Sequence, residues 1–324
     1  MRIVVVALLA LTLTGTGCLT VNLLGAGQGP LEETVVDGKS GPKILMLDLS
    51  GPLMNRAEET RLGLTRRESP TARLREEIDR ALEDDEIAAL LLRIDSPGGS
   101  VIASDMMYRE VRRFKEKTKR PVIAQFMGSG TSGAYYVAMA ADEVRAYPAT
   151  VTGSIGVIIA GVNVSGLMER IGIADQTLTS GPFKDAGSPL RPMRPEERAQ
   201  LESVALDLFR SFLDAVEAGR PKLTRERIET LADGRVYSGG QALDAGLVDA
   251  LGDLPQAVEA AKSAAGVRGG ARVVVYHRPG EAPASLYWAE AAAPPAARAF
   301  DLTQLPGPTF LYLWSPAGSL PEAQ

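Results

Sequence analysis

Ser132 is the side chain of this sequence whose setting best suits a nucleophile. It lies in Gly128-Ser-Gly-Thr-Ser-Gly-Ala134, after an apolar run typical of a buried strand and before a run with helical spacing. A serine at the first turn of a helix lies near the positive end of the helix dipole. The next backbone N–H, from Gly133, would face the oxyanion formed if the hydroxyl attacks a carbonyl. The alternative is that Ser132 simply caps the helix.

A pair of adjacent glycines could supply a second donor to the same oxyanion. Residues 87–96 form another apolar run typical of a buried strand, and Pro97-Gly98-Gly99 follows it. Ser100 has the position of a cap for the next helix. Adjacent glycines permit backbone conformations closed to other residues and let N–H groups face a ligand. Gly99 is therefore a candidate oxyanion donor opposite Gly133, and an ordinary strand-to-helix turn is the alternative.

Lys184 is the candidate base. It lies among small and apolar neighbours in the loop Ser180-Gly-Pro-Phe-Lys-Asp-Ala-Gly-Ser-Pro189, where a solvated lysine is the alternative. The chain has one histidine, His277, in a proline-rich region near the end, and one cysteine, Cys18. These counts disfavour a metal site of His and Cys, an internal disulfide and a cysteine nucleophile. We predict no metal and no cofactor.

Strands and helices alternate along the part of the chain that carries these residues. Such alternation indicates an α/β fold built from βαβ units. Ser69-Pro70 has the cap and the first-position proline of a helix start. Residues 195–219 have the spacing of a long amphipathic helix. Strands are expected at residues 150–159 and 175–179.

The first 18 residues resemble a targeting segment. A positive start and an apolar run at residues 3–13 precede Gly15-Thr-Gly-Cys18, which resembles a bacterial lipoprotein signal with Gly15 in place of the usual Leu. The alternatives are an ordinary signal peptide and an uncleaved anchor, although a spanning helix needs about 20 residues. All three place the body outside the cytoplasm. We therefore predict a protein of the cell envelope that associates with the membrane through its N-terminus, with Cys18 as the lipidation site.

The remaining chain divides by composition. Residues 19–42 contain Gly, Pro, Asp and Glu without periodicity, so a flexible tether is expected there. Residues 43–265 form the folded domain. Residues 266–324 are a tail rich in Ala and Pro, with a possible edge strand at 272–278 and an apolar, aromatic stretch at 309–314. The net charge of −5 gives no sign of nucleic-acid binding.

Four motifs in order resemble the bacterial signal peptide peptidase A family, in its short, single-domain form. The motifs are Ile94-Asp-Ser-Pro-Gly-Gly-Ser-Val101, Gly130-Thr-Ser-Gly-Ala-Tyr-Tyr136, Thr152-Gly-Ser-Ile-Gly-Val157 and Ser180-Gly-Pro-Phe-Lys-Asp185. The resemblance covers residues 43–265. The chain departs from the family at Gly130-Thr131 and Ala134, where the family often has Ala-Ala-Ser-Gly-Gly. These exchanges of small residues leave the serine in place.

The resemblance implies a serine endopeptidase in which Ser132 is the nucleophile, Lys184 the general base and Ser154 the hydroxyl that orients the lysine. It implies a Clp-protease- and crotonase-like twisted sheet with flanking helices, built from repeated ββα and βαβ units. Homo-oligomeric rings would complete the site between subunits. The expected substrates are apolar peptides, such as cleaved signal peptides, hydrolysed through an acyl-enzyme. A lysine base must be neutral, and because free lysine has a pKa of about 10.4, such a base has to be desolvated.

Two other functions stay open. In a non-catalytic envelope scaffold, Ser132 and Lys184 would be structural and Ser154 an ordinary turn hydroxyl. An acyl-coenzyme A enzyme on a crotonase-like fold would use the amides of Gly99 and Gly133 without a Ser-Lys pair. Its cytoplasmic substrate conflicts with the N-terminal segment.

Overall fold

The computed structural model describes residues 29–56, 58–59, 66–281, 283, 285–287 and 309–313, so the segment at 1–18 with Cys18 lies outside it. The strands are β1 (Glu32–Asp37), β2 (Lys43–Ser50), β3 (Glu58–Glu59), β4 (Arg66–Arg67), β5 (Ile87–Ser96), β6 (Gly98–Ser100), β7 (Val122–Thr131), β8 (Glu143–Ala146), β9 (Val151–Gly153), β10 (Ile158–Ala160), β11 (Val236–Ser238), β12 (Ala250–Leu251), β13 (Arg272–His277) and β14 (Thr309–Leu313). The helices are α1 (Pro70–Leu82), α2 (Val101–Thr118), α3 (Gly133–Ala138), α4 (Ser165–Arg170), α5 (Pro195–Gly219), α6 (Arg225–Leu231), α7 (Gly239–Ala245) and α8 (Leu254–Ala264). No helix in these ranges is both long enough and apolar enough to cross a membrane.

One mostly parallel sheet organises the fold. Its order is β1-β13-β2-β5-β7-β8-β12, with β9 paired to the end of β7 and β11 paired to β9. The strands from β13 to β12 in this order run parallel to their neighbours, whereas β1 and β11 are antiparallel to theirs. The predicted α/β class, a large sheet with flanking helices, is confirmed.

The central strands are covered on both faces. Leu45 and Leu47 of β2 pack in a core with α1, α2 and α3. Ile44 and Met46 of the same strand point to the other face and pack with α8. Side chains alternate along a strand, so a strand buried on both faces appears in the sequence as a continuous apolar run.

The predicted helix starts are confirmed. The Ser69 hydroxyl accepts a hydrogen bond from the Ala72 N–H at the start of α1. The Ser100 hydroxyl accepts one from the Ala103 N–H at the start of α2. The long amphipathic helix, α5, also has the predicted limits. Each of these features depends on neighbouring residues, which is why the sequence predicts them.

Two strands of the main sheet lie outside residues 43–265. β1 falls within the expected tether, yet it pairs antiparallel with β13, which in turn pairs parallel with β2. A hydrogen bond of 2.8 Å also joins the Thr34 hydroxyl to the His277 ring. β1 is an edge strand with half-exposed polar residues, so it lacks the apolar run that marks the central strands.

Residues 158–193 form an arm that leaves the body after β9 and returns at α5. The strand expected at 150–159 is divided into β9 and β10, and the last residue of β9, Gly153, and the next residue, Ser154, both have positive φ. The strand expected at 175–179 is wrong, because these residues are exposed and irregular. A strand needs a pairing partner and a face to bury, and this part of the arm has neither among the described residues.

Candidate active site

Ser132 occupies a strained turn between β7 and α3. Its φ of 53° and ψ of −117° are unusual for a residue with a side chain, and such a conformation costs about 1–3 kcal/mol. The side chain makes no capping hydrogen bond to α3, so the interpretation of Ser132 as a simple cap is wrong. A strained serine at a strand-to-helix turn is one way in which folds present a nucleophile. The residue is 1% exposed, so any peptide must displace what covers it.

Ser154 is the neighbour of Ser132 across two paired strands. Thr131 of β7 and Gly153 of β9 are register partners, and each serine follows directly after one of them. The Ser132 N–H donates to the Gly153 carbonyl at 2.7 Å. Ser154 also has a positive φ, 51°, and its N–H donates to the carbonyl of Arg235 at 2.8 Å. Two serines in constrained turns therefore lie beside each other at the end of the sheet.

Gly99 directs its amide to the edge of β6 that is opposite Leu53. On one edge of β6, the Leu53 N–H donates to the Gly98 carbonyl at 2.8 Å and the Ser100 N–H donates to the Leu53 carbonyl at 2.9 Å. Backbone groups of successive strand residues point to opposite edges, so the Gly99 N–H lies on the other edge. A Cβ on Gly99 would come within 1.9 Å of the Leu53 carbonyl oxygen. Only glycine fits this close approach.

Gly133 brings a second amide to the same place. A Cβ on Gly133 would lie 2.2 Å from the Ser104 hydroxyl oxygen and 3.2 Å from the Gly99 nitrogen. The backbones of the two glycines are therefore adjacent, and Gly133 directly follows Ser132. α3 has only six residues, so individual N–H groups matter more here than the helix dipole. The structure brings together Ser132, Ser154, Gly99 and Gly133.

Lys184 is on the arm and is exposed. Its backbone N–H donates to the Gly181 carbonyl at 3.1 Å, in a series of turns. Within the part of the chain that the structure describes, no hydrogen bond joins the Lys184 amine to the Ser132 hydroxyl. One chain therefore holds the candidate nucleophile and both amides in place, and leaves the candidate base at its surface.

A cluster of charged side chains joins the end of the arm to the start of α5. Arg191 contacts Asp185 at 2.7 Å and the buried carboxylate of Glu197 at 2.5 Å. Arg194 also pairs with Glu197. Hydrogen bonds from Arg191, and then from Arg194, hold the pKa of Glu197 well below its usual range. This cluster was not predicted from the sequence, although Glu197 has the N3 position of a capping box at the start of α5.

His277 does not belong to the site. It lies in β13, is 7% exposed, and contacts the Thr34 hydroxyl and the Arg278 carbonyl. Three strand spacings, about 14 Å, separate β13 from β7 in the sheet order. The one histidine of the chain is therefore structural.

An aromatic pocket next to Ser132 was also missed. The ring of Tyr136 in α3 stacks on Tyr312 of β14 with centroids 5.5 Å apart, and Phe212 of α5 lies 4.7 Å from the same ring. The Tyr312 hydroxyl donates to the Leu208 carbonyl at 2.7 Å. Burial, and then the carboxylate of Asp105, raise the pKa of Tyr312 and keep this donor protonated. The sequence contains these aromatic residues, but it gives no signal that residues so far apart in the chain are in contact.

Comparison with known proteins identifies the family. The pattern of peptidase family S49 matches residues 114–268. A protein of Enterococcus faecium that is named as a signal peptide peptidase is 33% identical over 252 residues, which are 78% of this chain and 71% of that protein. The chain belongs to peptidase family S49. The resemblance to the signal peptide peptidase A family is thereby confirmed, and the S49 chain is a serine peptidase by family.

Other relatives agree with this family. A Synechocystis protein named as a protease is 40% identical to the S49 chain over 188 residues, which are 58% of this chain and 67% of that protein. The chloroplastic serine protease SPPA of Arabidopsis thaliana is 38% identical over 193 residues, which are 59% of this chain and 28% of that protein. A solved membrane-bound stomatin-specific protease overlaps with a TM-score of 0.41 at 13% identity, over 68% of this chain and 85% of that one. That last overlap is too slight to support a conclusion.

Proposed function

We propose that this S49 peptidase is an endopeptidase that works through Ser132 and Lys184. The observation that carries the proposal is the strained Ser132 held beside the amides of Gly99 and Gly133. The Ser132 hydroxyl attacks a peptide carbonyl, and its proton passes to the neutral Lys184 amine. The oxyanion accepts hydrogen bonds from the two amides, each worth about 3–4 kcal/mol in the transition state.

The remaining steps complete the acyl-enzyme and then return the enzyme to its starting state. The protonated Lys184 gives its proton to the leaving amine, the peptide bond breaks, and Ser132 holds the acyl group. Water then attacks the ester with Lys184 again as base, which releases the acid and restores the hydroxyl. Ser154 supports this proposal by its position beside Ser132, from which its hydroxyl could orient the lysine.

The base would come from a second copy of the chain. The arm exposes large apolar side chains, which in a monomer would face water: Val162, Leu167, Ile171, Ile173, Leu178 and Phe183. Several exposed large apolar side chains on one segment are typical of a protein interface. Docking of the arm on a neighbouring subunit would cover these side chains, remove water from the Lys184 amine and bring it to the neighbour's Ser132. A closed homo-oligomeric ring satisfies every arm in this way.

The substrates that we propose are apolar peptides, such as cleaved signal peptides. The aromatic pocket of Tyr136 and Phe212 supports an apolar side chain at the cleavage site. The Enterococcus faecium relative is named for signal peptides. The N-terminal segment, with Cys18 as its lipidation site, suits an envelope protein tethered to the membrane with the peptidase domain outside the cytoplasm.

A fluorophosphonate probe tests this function directly. We expect intact-mass and peptide mapping to show one adduct on Ser132 of the oligomer, absent from Ser132→Ala and strongly reduced in Lys184→Ala. Ser129→Ala is the matched control, because this half-buried serine lies three residues earlier, in β7, and its loss should leave labelling unchanged. A folded oligomer without any adduct would instead indicate a scaffold or an acyl-coenzyme A enzyme.

A further inference from the structure

Arginine side chains hold the turn of Lys184 on both sides. Before the lysine, the Pro182 carbonyl accepts a hydrogen bond from the guanidinium of Arg194. After the lysine, the Asp185 carboxylate accepts a hydrogen bond from Arg191 at 2.7 Å, and the Asp185 carbonyl accepts another at 3.3 Å. The place of the Lys184 backbone therefore depends on where these two guanidinium groups lie.

One carboxylate orients both arginines. Glu197 accepts hydrogen bonds from Arg191 at 2.9 and 2.5 Å, and from Nε of Arg194 at 2.9 Å. The Glu197 side chain is 0% exposed, whereas that of Arg194 is 46% exposed. A buried carboxylate needs partners for its charge, and forked bonds from arginine fix direction as well as distance. Glu197 is therefore the centre of the cluster.

Glu197 is itself fixed by a helix. It is the third residue of α5, and its carboxylate accepts a hydrogen bond from the Arg194 N–H at 3.0 Å in the capping box. Further along α5, Phe212 packs on Tyr136 of α3 with ring centroids 5.2 Å apart. Side chains on helices are placed more precisely than those on loops. The cluster thus joins the loop residue Lys184 to a helix that packs against the helix after Ser132.

The backbone of the lysine loop has little hold of its own. Its hydrogen bonds are those of single turns, from Lys184 to Gly181 at 3.1 Å, from Ala186 to Phe183 at 3.2 Å and from Ser188 to Asp185 at 2.9 Å. Exposed segments with such local bonds open easily. A shift of about 1 Å in a catalytic group can cost about a hundredfold in rate, so a base on this loop needs outside support.

We infer that Glu197 is the positioning residue for Lys184 and acts on it through Arg191 and Arg194. The role of Lys184 in this inference rests on the proposed function. Glu197 holds the turn of its own chain, so that an arm docked on a neighbouring subunit presents the lysine in one orientation. Glutamine has nearly the same size but lacks the charge that orients two guanidinium groups. Glu197→Gln should therefore release the turn.

Hydrogen–deuterium exchange tests the hold on the turn without turnover. In a Ser132→Ala chain, we expect Glu197→Gln to speed exchange of the amides at residues 184–188 about tenfold, because the turns lose their outside partners. Glu196→Gln is the matched control, since this exposed glutamate lies in the same first turn of α5 and carries the same charge near the helix dipole. It should leave the exchange unchanged. Equal exchange in the two variants would overturn the inference.

Mixed oligomers test the effect on catalysis. A Ser132→Ala chain supplies Lys184 to a shared site, and a Lys184→Ala chain supplies Ser132. We expect Glu197→Gln to lower kcat on a peptide at least tenfold more in the chain that supplies the lysine than in the chain that supplies the serine, with little change in KM. An equal loss from both placements, or a loss from neither, would overturn the inference, because a role in folding or assembly alone does not depend on the placement.

The two measurements separate this inference from the proposed function. A wild-type oligomer that fluorophosphonate does not label would contradict the peptidase proposal. Exchange at residues 184–188 would still decide whether Glu197 holds the turn. An active oligomer whose exchange and kcat ignore Glu197→Gln would contradict the positioning role and leave the peptidase proposal standing.

Discussion

Ser132 and Ser154 lie side by side because the residues before them, Thr131 and Gly153, are partners in parallel strands. A hydrogen bond of 2.7 Å from the Ser132 N–H to the Gly153 carbonyl locks the two turns together. Both serines have positive φ, near 50°, which few residues with a side chain adopt. Strain held by surrounding structure is common at functional sites, and here it fixes the candidate nucleophile, Ser132, within its turn.

Replacement of Ser132 by glycine should stabilise the protein. Glycine adopts this backbone conformation without a steric penalty, so we expect Ser132→Gly to raise the free energy of unfolding by about 1 kcal/mol. Ser132→Ala keeps the Cβ and therefore the strain, and it should show no such gain. Chemical denaturation of both variants measures the difference, and equal stabilities would contradict a strained turn.

Because Gly133 lies close to Ser104, a substitution of Ser104 should restore part of the stability that is lost when Gly133 is replaced. A Cβ on Gly133 would lie 2.2 Å from the Ser104 hydroxyl oxygen, so Gly133→Ala should cost about 1–3 kcal/mol in stability. Ser104→Ala removes that oxygen and should recover part of the loss in the double variant. If the turn shifts its amide, kcat on a peptide substrate should fall about hundredfold or more. Additive effects of the two substitutions would show that these residues do not meet.

The apolar surface of the arm should control assembly. Leu178 is 97% exposed, and a charged residue there would oppose burial between subunits. We expect Leu178→Asp to yield a folded monomer that lacks peptidase activity, measured by light scattering and a peptide assay. Leu206→Asp is the matched control, because Leu206 is 55% exposed on α5, outside the arm. An intact, active oligomer of the Leu178 variant would place the interface elsewhere.

Removal of the Tyr312 side chain should lower the apparent KM for an added peptide substrate. Tyr312→Ala removes the ring that packs on Tyr136 and Phe212, so β14 should be held less tightly at its place beside Gly99. We expect the apparent KM for an apolar peptide to fall about tenfold or more with little change in kcat, since more of the enzyme is open to substrate. Tyr287→Ala, at an exposed tyrosine, should leave KM unchanged. An unchanged KM for Tyr312→Ala would mean that β14 does not compete with substrate.

The sequence predicts those features that depend on neighbouring residues. The caps at Ser69 and Ser100 and the limits of α5 follow from local signals. Strand-to-helix turns have a recognisable pattern, which is why the sequence marks the glycines at 99 and 133, and their role as oxyanion donors stays a prediction. The sequence does not predict β1, which has no apolar run of its own, and it does not predict the pairing of β14, whose apolar stretch meets strands far away in the chain. The same reason explains the aromatic pocket, whose members belong to three separate elements.

Complementation between two inactive variants tests the central claim most directly. The Ser132→Ala chain retains Lys184, and the Lys184→Ala chain retains Ser132, so neither should hydrolyse a peptide alone. If the site is shared between subunits, co-expression of the two should give mixed oligomers that regain a substantial fraction of wild-type activity and label with fluorophosphonate on Ser132. Mixed oligomers without activity or labelling, in a preparation whose wild-type form is active, would contradict a site built from Ser132 of one subunit and Lys184 of the next.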